Sequence, residues 1–77
     1  MSDFDRLRWR CRRGLLELDL VLTRFLDSGY ADLDARECEV FVDLLAFADN
    51  DLWDLMSGRL HADNAEEERL LVRLRAV

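Results

Sequence analysis

The chain has 77 residues, of which 51% are hydrophobic and 36% charged, with three glycines and no proline. This balance is typical of a small helical protein and excludes a disordered tail, and at this length we expect one domain, residues 1–77. Seventeen acidic residues against eleven arginines give a net charge of −6, which argues against non-specific binding to nucleic acids or anionic membranes.

The cellular location is predicted from hydropathy and from the cysteines. No apolar run approaches roughly 20 residues, the length that a bilayer-spanning helix needs, and no signal segment is recognisable at the amino end. Cys11 and Cys38 form no CxxC pair. We therefore expect a cytoplasmic protein whose two thiols are reduced and fill core positions.

The first two helices are predicted from apolar residues at helical spacing. The first spans residues 3–12 after a cap at Ser2 or Asp3, and its core stripe is Phe4, Leu7 and Cys11. The second spans residues 15–26, and its core stripe is Leu15, Leu18, Leu22, Phe25 and Leu26. The sequence Ser28-Gly29-Tyr30 is expected to end this helix.

Three more helices are predicted in the second half. Asp34 and Glu37 form a capping box for a third helix that ends near Ala48, with a core face of Cys38, Phe41, Val42 and Leu45. A short fourth helix spans about residues 51–56, is capped by Asp49, Asn50 or Asp51, and stops at Ser57-Gly58. Asp63 or Asn64 caps a last helix with the inward residues Leu70, Leu71, Leu74 and Val77. No strand-period alternation occurs, so the predicted fold is an all-α, five-helix bundle.

Enzymatic and metal chemistry have little support in the sequence. The one histidine, His61, lies in a polar link, and no grouping of a nucleophile with a base can be assigned, so we expect no catalytic residue. Asp49, Asp51 and Asp54 lack the glycine and the distal glutamate of a calcium loop, and no bound metal is expected. Trp53 has two interpretations, a core residue or a partly exposed aromatic contact for a partner.

Five of the arginines fall within the first thirteen residues. Helical spacing places Arg6, Arg10 and Arg13 on one face, a pattern that can bind phosphates but is more often a solvated face paired with acids. Trp9 is expected on the same side, outside the core stripe. An arginine and tryptophan surface of this kind suits a protein partner at least as well as RNA.

A glycine interrupts the helical pattern at position 14, where it costs a helix about 1 kcal/mol relative to alanine. In one interpretation Gly14 forms a corner between two helices, beside an ion pair between Arg13 and Glu17. In the other, it leaves a bare patch between two opposite charges, which a partner approaches closely. The spacing favours neither interpretation.

The pattern Arg13-Gly14-x-x-Glu17-Leu18-Asp19, the arginine-rich lead-in and the segment DNDLWDLMSG at residues 49–58 together resemble the succinate dehydrogenase assembly (flavinylation) factor family. The similarity extends from about Leu7 to Arg75. Two departures occur: Leu15-Leu16 stands where many members have a methionine followed by a basic residue, and Ala48 stands where a proline is frequent.

The resemblance implies a five-helix bundle that acts as a chaperone-like assembly factor and is not an enzyme. Its partner would be the flavoprotein subunit of succinate dehydrogenase, or of fumarate reductase, on which it promotes covalent attachment of FAD to a histidine. The FAD is then held by the partner, and we expect no tightly bound cofactor on this chain and a monomer when free. The implied partner-binding residues are Arg13, Gly14 and Glu17, with Asp19, Asp51 and Trp53 as neighbours. From the charge-glycine-charge spacing we expect Arg13 to pair with a partner carboxylate or polar group near the FAD cleft, Gly14 to allow contact without a side-chain clash, and Glu17 to orient a group beside the flavin pocket.

Three other functions compete with this hypothesis. A nucleic-acid module would use the N-terminal arginines, although the net charge argues against a nucleic-acid partner. A regulatory helical adaptor would instead present its acidic residues Glu66 to Glu68 to a basic partner. An intrinsic flavin transferase would turn over FAD without any flavoprotein.

Overall fold

The computed structural model describes residues 2–77, and within this range the chain forms five α-helices and one 3-10 turn, with no β-strand. The helices are α1 (Asp3–Arg10), α2 (Leu16–Ser28), α3 (Ala35–Leu45), α4 (Asp49–Ser57) and α5 (Ala65–Arg75), and the 3-10 turn is Tyr30–Asp32. The predicted all-α, five-helix fold is confirmed. No helix in the described range has the length and apolar character that crossing a membrane requires.

Three helices begin at N-cap residues that are among the candidates predicted from the sequence. Ser2 caps α1, Asp34 caps α3 and Asn64 caps α5. Each side-chain oxygen accepts the backbone N–H three residues further on, at 3.1, 2.8 and 2.8 Å respectively. Such a cap is worth about 1 kcal/mol because it satisfies an amide that has no partner inside the helix.

Helix α4 begins differently from the prediction. Its N-cap is Ala48, which has no side chain able to accept a hydrogen bond, so the predicted cap by Asp49, Asn50 or Asp51 is wrong. The helix therefore starts two residues earlier than expected. The carboxylate of Asp49 is engaged elsewhere, since it accepts a hydrogen bond from Arg13.

The core lies where α5 packs against α2, α3 and α4. Its largest fully buried side chains are apolar residues from four helices: Leu18, Leu22, Phe25, Phe41, Leu44, Leu52, Leu70, Leu71 and Leu74. Aromatic rings add to this packing, since the ring centres of Phe25 and Phe41 are 5.4 Å apart in a tilted arrangement. The predicted core stripe of α2 is confirmed, except that Leu15 is half-buried.

The core face of α3 is rotated relative to the prediction. Phe41 and Leu45 are buried as expected, but Val40 and Leu44 take the places predicted for Cys38 and Val42. Cys38 is half-buried and Val42 is 37% exposed. The sequence carries two overlapping apolar stripes in α3, and packing against α5 selects the one that the prediction did not choose.

Two helix boundaries and two burial predictions are also wrong. Helix α1 ends at Arg10 and helix α3 at Leu45, two and three residues earlier than predicted. Phe4 is exposed at the edge of the bundle, where its ring packs on Tyr30 at 5.8 Å between centres. Val77 is exposed because α5 ends before it.

Both cysteines are free thiols, as predicted. Cys11 is buried, and this burial raises its pKa to about 11. The thiol of Cys11 is therefore protonated and unreactive at neutral pH, which agrees with a packing role.

Gly29 ends α2 directly over the ring of Phe25. A Cβ at this position would lie 2.7 Å from Phe25 Cε1, and Phe25 is only 1% exposed. The backbone φ of −121° is open to any residue, so the cost of a side chain is steric. We expect Gly29→Ala to lower the free energy of unfolding by about 1–3 kcal/mol, measured by urea denaturation.

A Phe25→Leu variant tests whether the Phe25 ring causes this loss of stability. If the Phe25 ring is responsible, Gly29→Ala costs less when Phe25 is already leucine. An equal loss in both backgrounds would contradict the steric explanation.

Ion pairs connect α3 to α5 at the surface. Arg36 Nε donates to Glu66 Oε2 at 2.8 Å, and Arg73 Nη1 donates to Glu37 Oε2 at 2.9 Å. The hydrogen bond from Arg36 holds the pKa of Glu66 below its usual value. Because Arg36 is exposed and Glu66 is only half-buried, the Arg36–Glu66 pair contributes modestly to stability and is screened by salt.

A pH dependence follows from the lowered pKa of Glu66. A carboxylate with a lowered folded-state pKa stabilises the fold above its unfolded pKa of about 4.3, and this stabilisation is lost as the pH falls through the folded value. We expect the free energy of unfolding to fall between about pH 5 and pH 3, less steeply in Glu66→Gln. An unchanged slope in Glu66→Gln would contradict the assignment.

Candidate partner-binding site

The connection between α1 and α2, residues 11–15, which we call the glycine loop, presents Gly14 at the surface. Its φ is +83°, a conformation that L residues rarely adopt. A Cβ built at this position would have no atom within 4 Å. The positive φ explains why a glycine is needed here, and the empty surroundings mean that the protein's own side chains do not cover it.

Asp19, in the first turn of α2, fixes the conformation of this loop. Its carboxylate accepts hydrogen bonds from the backbone N–H groups of Arg13, at 2.6 Å, and of Gly14, at 3.3 Å. Hydrogen bonds to an ionised carboxylate are stronger than neutral ones. Asp19 therefore holds the loop against α2.

Arg13 connects the same loop to the link between α3 and α4. Its Nε donates to Asp49 Oδ1 at 2.7 Å and its Nη1 to the Leu45 carbonyl at 2.7 Å, while Nη2 donates to the Phe47 carbonyl. The side chain is 13% exposed. The prediction of an ion pair between Arg13 and Glu17 is wrong. Within residues 2–77, the Arg13 side chain pairs with the carboxylate of Asp49.

The cationic face predicted for α1 is also altered. Because α1 ends at Arg10 and Arg13 points into the protein, Arg6, Arg10 and Arg13 do not form one helical face. Arg8 pairs with Asp27 at 2.7 Å. These contacts reduce the cationic charge available for a nucleic acid.

Trp9 lies on the arginine side of α1, as predicted. Its side chain is 66% exposed, and the guanidinium of Arg12 lies 5.5 Å from the ring centre. A cation over an aromatic ring is an attractive arrangement even at the surface. Trp9 and Arg12 thus form an exposed pair where α1 meets the glycine loop.

The remaining predicted residues lie on the two helices that the loop contacts. Glu17 is exposed in the first turn of α2, and Asp51 is exposed in the first turn of α4. Trp53 is half-buried and packs against the core. The structure joins Arg13, Gly14 and Asp19 by direct hydrogen bonds and attaches them to the helix that carries Asp51 and Trp53.

Asp49 is the residue of this site that sequence patterns miss. Its position beside Asn50 and Asp51 is typical of a helix cap or a metal ligand, and no local spacing connects it to Arg13, 36 residues earlier. Within residues 2–77, no cluster of three or more histidine, cysteine, aspartate or glutamate side chains is arranged to hold a metal ion. His61 is exposed.

Comparison with known proteins identifies the family. A family model described as flavinator of succinate dehydrogenase matches residues 5–77. The FAD assembly factor SdhE of Methylococcus capsulatus is 38% identical over 77 residues, which cover 100% of this chain and 93% of that protein. The proteins of the same name from Shewanella oneidensis and Coxiella burnetii are 37% and 35% identical over 75 and 69 residues. These alignments cover 97% and 90% of this chain, and 92% and 84% of the two relatives.

No solved structure matches the chain. The family match extends over nearly all of the sequence, including the glycine loop and α4. The chain therefore belongs to the flavinator of succinate dehydrogenase family.

Proposed function

We propose that this protein is an assembly factor that binds the flavoprotein subunit of succinate dehydrogenase and promotes covalent attachment of FAD to a histidine of that subunit. The observation that carries the proposal is the glycine loop, where Gly14 is uncovered and held in place from two sides, by Asp19 and by Arg13. A rigid, bare backbone segment lets a partner approach without a clash and without the entropy cost of ordering a loop on binding.

The factor need not perform the covalent chemistry itself. In the product, a histidine nitrogen of the flavoprotein is bonded to the methyl carbon of the flavin; the methyl carbon and the histidine nitrogen each give up one proton, and the electron pair is taken up by the flavin ring, which is thereby reduced. This reaction requires the two reacting atoms to be held close together and the charge on the flavin to be stabilised. A protein that binds only the competent conformation of the flavoprotein raises its population. We assign no catalytic residue and no resident cofactor to this chain.

Exposed residues around Gly14 supply the proposed contact surface. Glu17 follows the loop on α2 and can accept hydrogen bonds from the partner, and Asp51 and Trp53 extend the surface along α4. An aromatic side chain that is half-buried makes contact at a low entropy cost because its own packing already restricts it. Asp19 supports this surface by shaping the loop.

The experiment that tests the function is a reconstitution. Purified flavoprotein subunit is incubated with FAD, with and without this protein, and covalent flavin is scored by in-gel fluorescence after denaturation. We expect flavin incorporation to rise when the factor is present. Equal incorporation in its absence would overturn the proposal, and consumption of FAD by the factor alone would favour a flavin transferase. Repeating the assay with the fumarate reductase subunit shows whether that protein is also a client.

A further inference from the structure

We infer that Arg13 is a positioning residue: its guanidinium fixes the glycine loop against the start of α4 and does not itself bind the partner. This inference rests on the proposed function, because it concerns how the partner surface is held. It replaces the expectation that Arg13 pairs with a partner carboxylate.

The geometry leaves the guanidinium little capacity for an outside contact. Nε, Nη1 and Nη2 each donate to a different acceptor within the chain, namely the Asp49 carboxylate and the carbonyls of Leu45 and Phe47. Nη1 also lies 3.4 Å from the Arg10 carbonyl. A planar guanidinium suits this arrangement because its donors point in fixed directions, which a lysine ammonium cannot reproduce.

The surroundings of Arg13 are also electrostatically matched to it. Leu45 is the last residue of α3, where carbonyls without intrahelical partners carry the negative end of the helix dipole. Asp49 adds a full negative charge at the first residue of α4. A partner that drew Arg13 outward would leave these carbonyls and this part-buried carboxylate without their donor, which is costly.

Two contacts therefore hold the glycine loop between two helices. Asp19 binds the backbone of residues 13 and 14 to α2, and the Arg13 side chain binds residue 13 to α4. Together they set the position of Gly14 relative to the exposed face of α4. A displacement of about 1 Å in such an arrangement is enough to weaken a contact between two preformed surfaces.

A double-mutant cycle on partner affinity tests the inference. The dissociation constant for the flavoprotein subunit is measured for wild type, Arg13→Gln, Asp49→Asn and the double variant. We expect each single change to weaken binding about fivefold to tenfold and the double change to weaken it no further than Arg13→Gln alone. Asp43→Asn, a matched loss of one exposed carboxylate on α3, should leave binding unchanged.

Direct partner binding by Arg13 would give different results. Removing the Asp49 carboxylate would then release Nε of the guanidinium for the partner, so that Asp49→Asn would bind as well as or better than wild type, or the two losses of affinity would simply add. Either outcome overturns the inference.

A partner-free readout separates this inference from the proposed function. Amide hydrogen exchange in the isolated protein should be faster at Gly14 and in the first turn of α4 in both single variants. If wild type does not bind the flavoprotein at all, the proposed function fails and the positioning role for partner binding fails with it. If wild type binds but exchange at Gly14 is unchanged in both variants, the positioning role alone is overturned.

Discussion

Gly14→Arg should abolish covalent flavin incorporation into the flavoprotein while leaving a folded factor. A long charged side chain would project from Gly14, where an added Cβ has no other atom within 4 Å. Central interface positions cost about 2 kcal/mol or more when their contact is lost, so we expect at least about a thirtyfold increase in the dissociation constant. The measurements are binding to the purified flavoprotein and in-gel flavin fluorescence.

An arginine at position 14 could act by straining the backbone or by blocking the partner. The same substitution at Gly58 is the control that separates these two effects. Its φ is +87°, it is exposed, and a Cβ there also has no atom within 4 Å. An L residue at either position costs about 1–2 kcal/mol of stability for the same conformational reason. Gly58→Arg should therefore lose stability as Gly14→Arg does and still support flavin attachment. Equal loss of activity in both variants would show that strain is the cause and would remove the case for a partner at Gly14.

Phe41→Ala should give the largest loss of stability of any single substitution considered. Phe41 is fully buried, and its ring lies 5.4 Å from that of Phe25 and 5.7 Å from that of Tyr30. Truncating such a residue removes apolar burial and leaves a cavity, at a cost of about 3–5 kcal/mol. In a chain of this size that lowers the melting temperature by at least about 12 °C, which a thermal scan by circular dichroism would detect.

The neighbouring residue is the matched control for Phe41. Val42 follows Phe41 in α3 and faces solvent with 37% of its surface exposed. Val42→Ala should cost well under about 1 kcal/mol, because little apolar surface leaves a buried environment. A large loss of stability in Val42→Ala would mean that Val42 lies on the core face of α3, as the sequence pattern alone predicts.

Local sequence signals predicted the helices well because the relevant physics is local. The caps at Ser2, Asp34 and Asn64 act within three residues, and Gly29 and Gly58 lie directly after the helices that they end. Each of these signals depends on hydrogen bonds or backbone conformations between near neighbours in the chain. The number and order of the helices follow from them.

The residues that sequence patterns misplaced depend on contacts between distant segments. The stripe of α3 that faces inward is chosen by packing against α5, and two stripes were available within the same eleven residues. The contact between Arg13 and Asp49 joins residues 36 positions apart, so no spacing rule indicates it. The sequence predicts which residues belong to the candidate site. Only the folded structure distinguishes the residues that hold the glycine loop from those that lie exposed.

The two tryptophans differ in exposure in a way that provides two spectroscopic probes. Trp9 is largely exposed beside Arg12, so its fluorescence should emit at long wavelength and be quenched readily by iodide. Trp53 packs against the core, so its emission should lie at shorter wavelength and change when α4 loosens. With Trp9→Phe and Trp53→Phe variants, events at the surface and rearrangements of α4 can be followed separately, without attaching a dye.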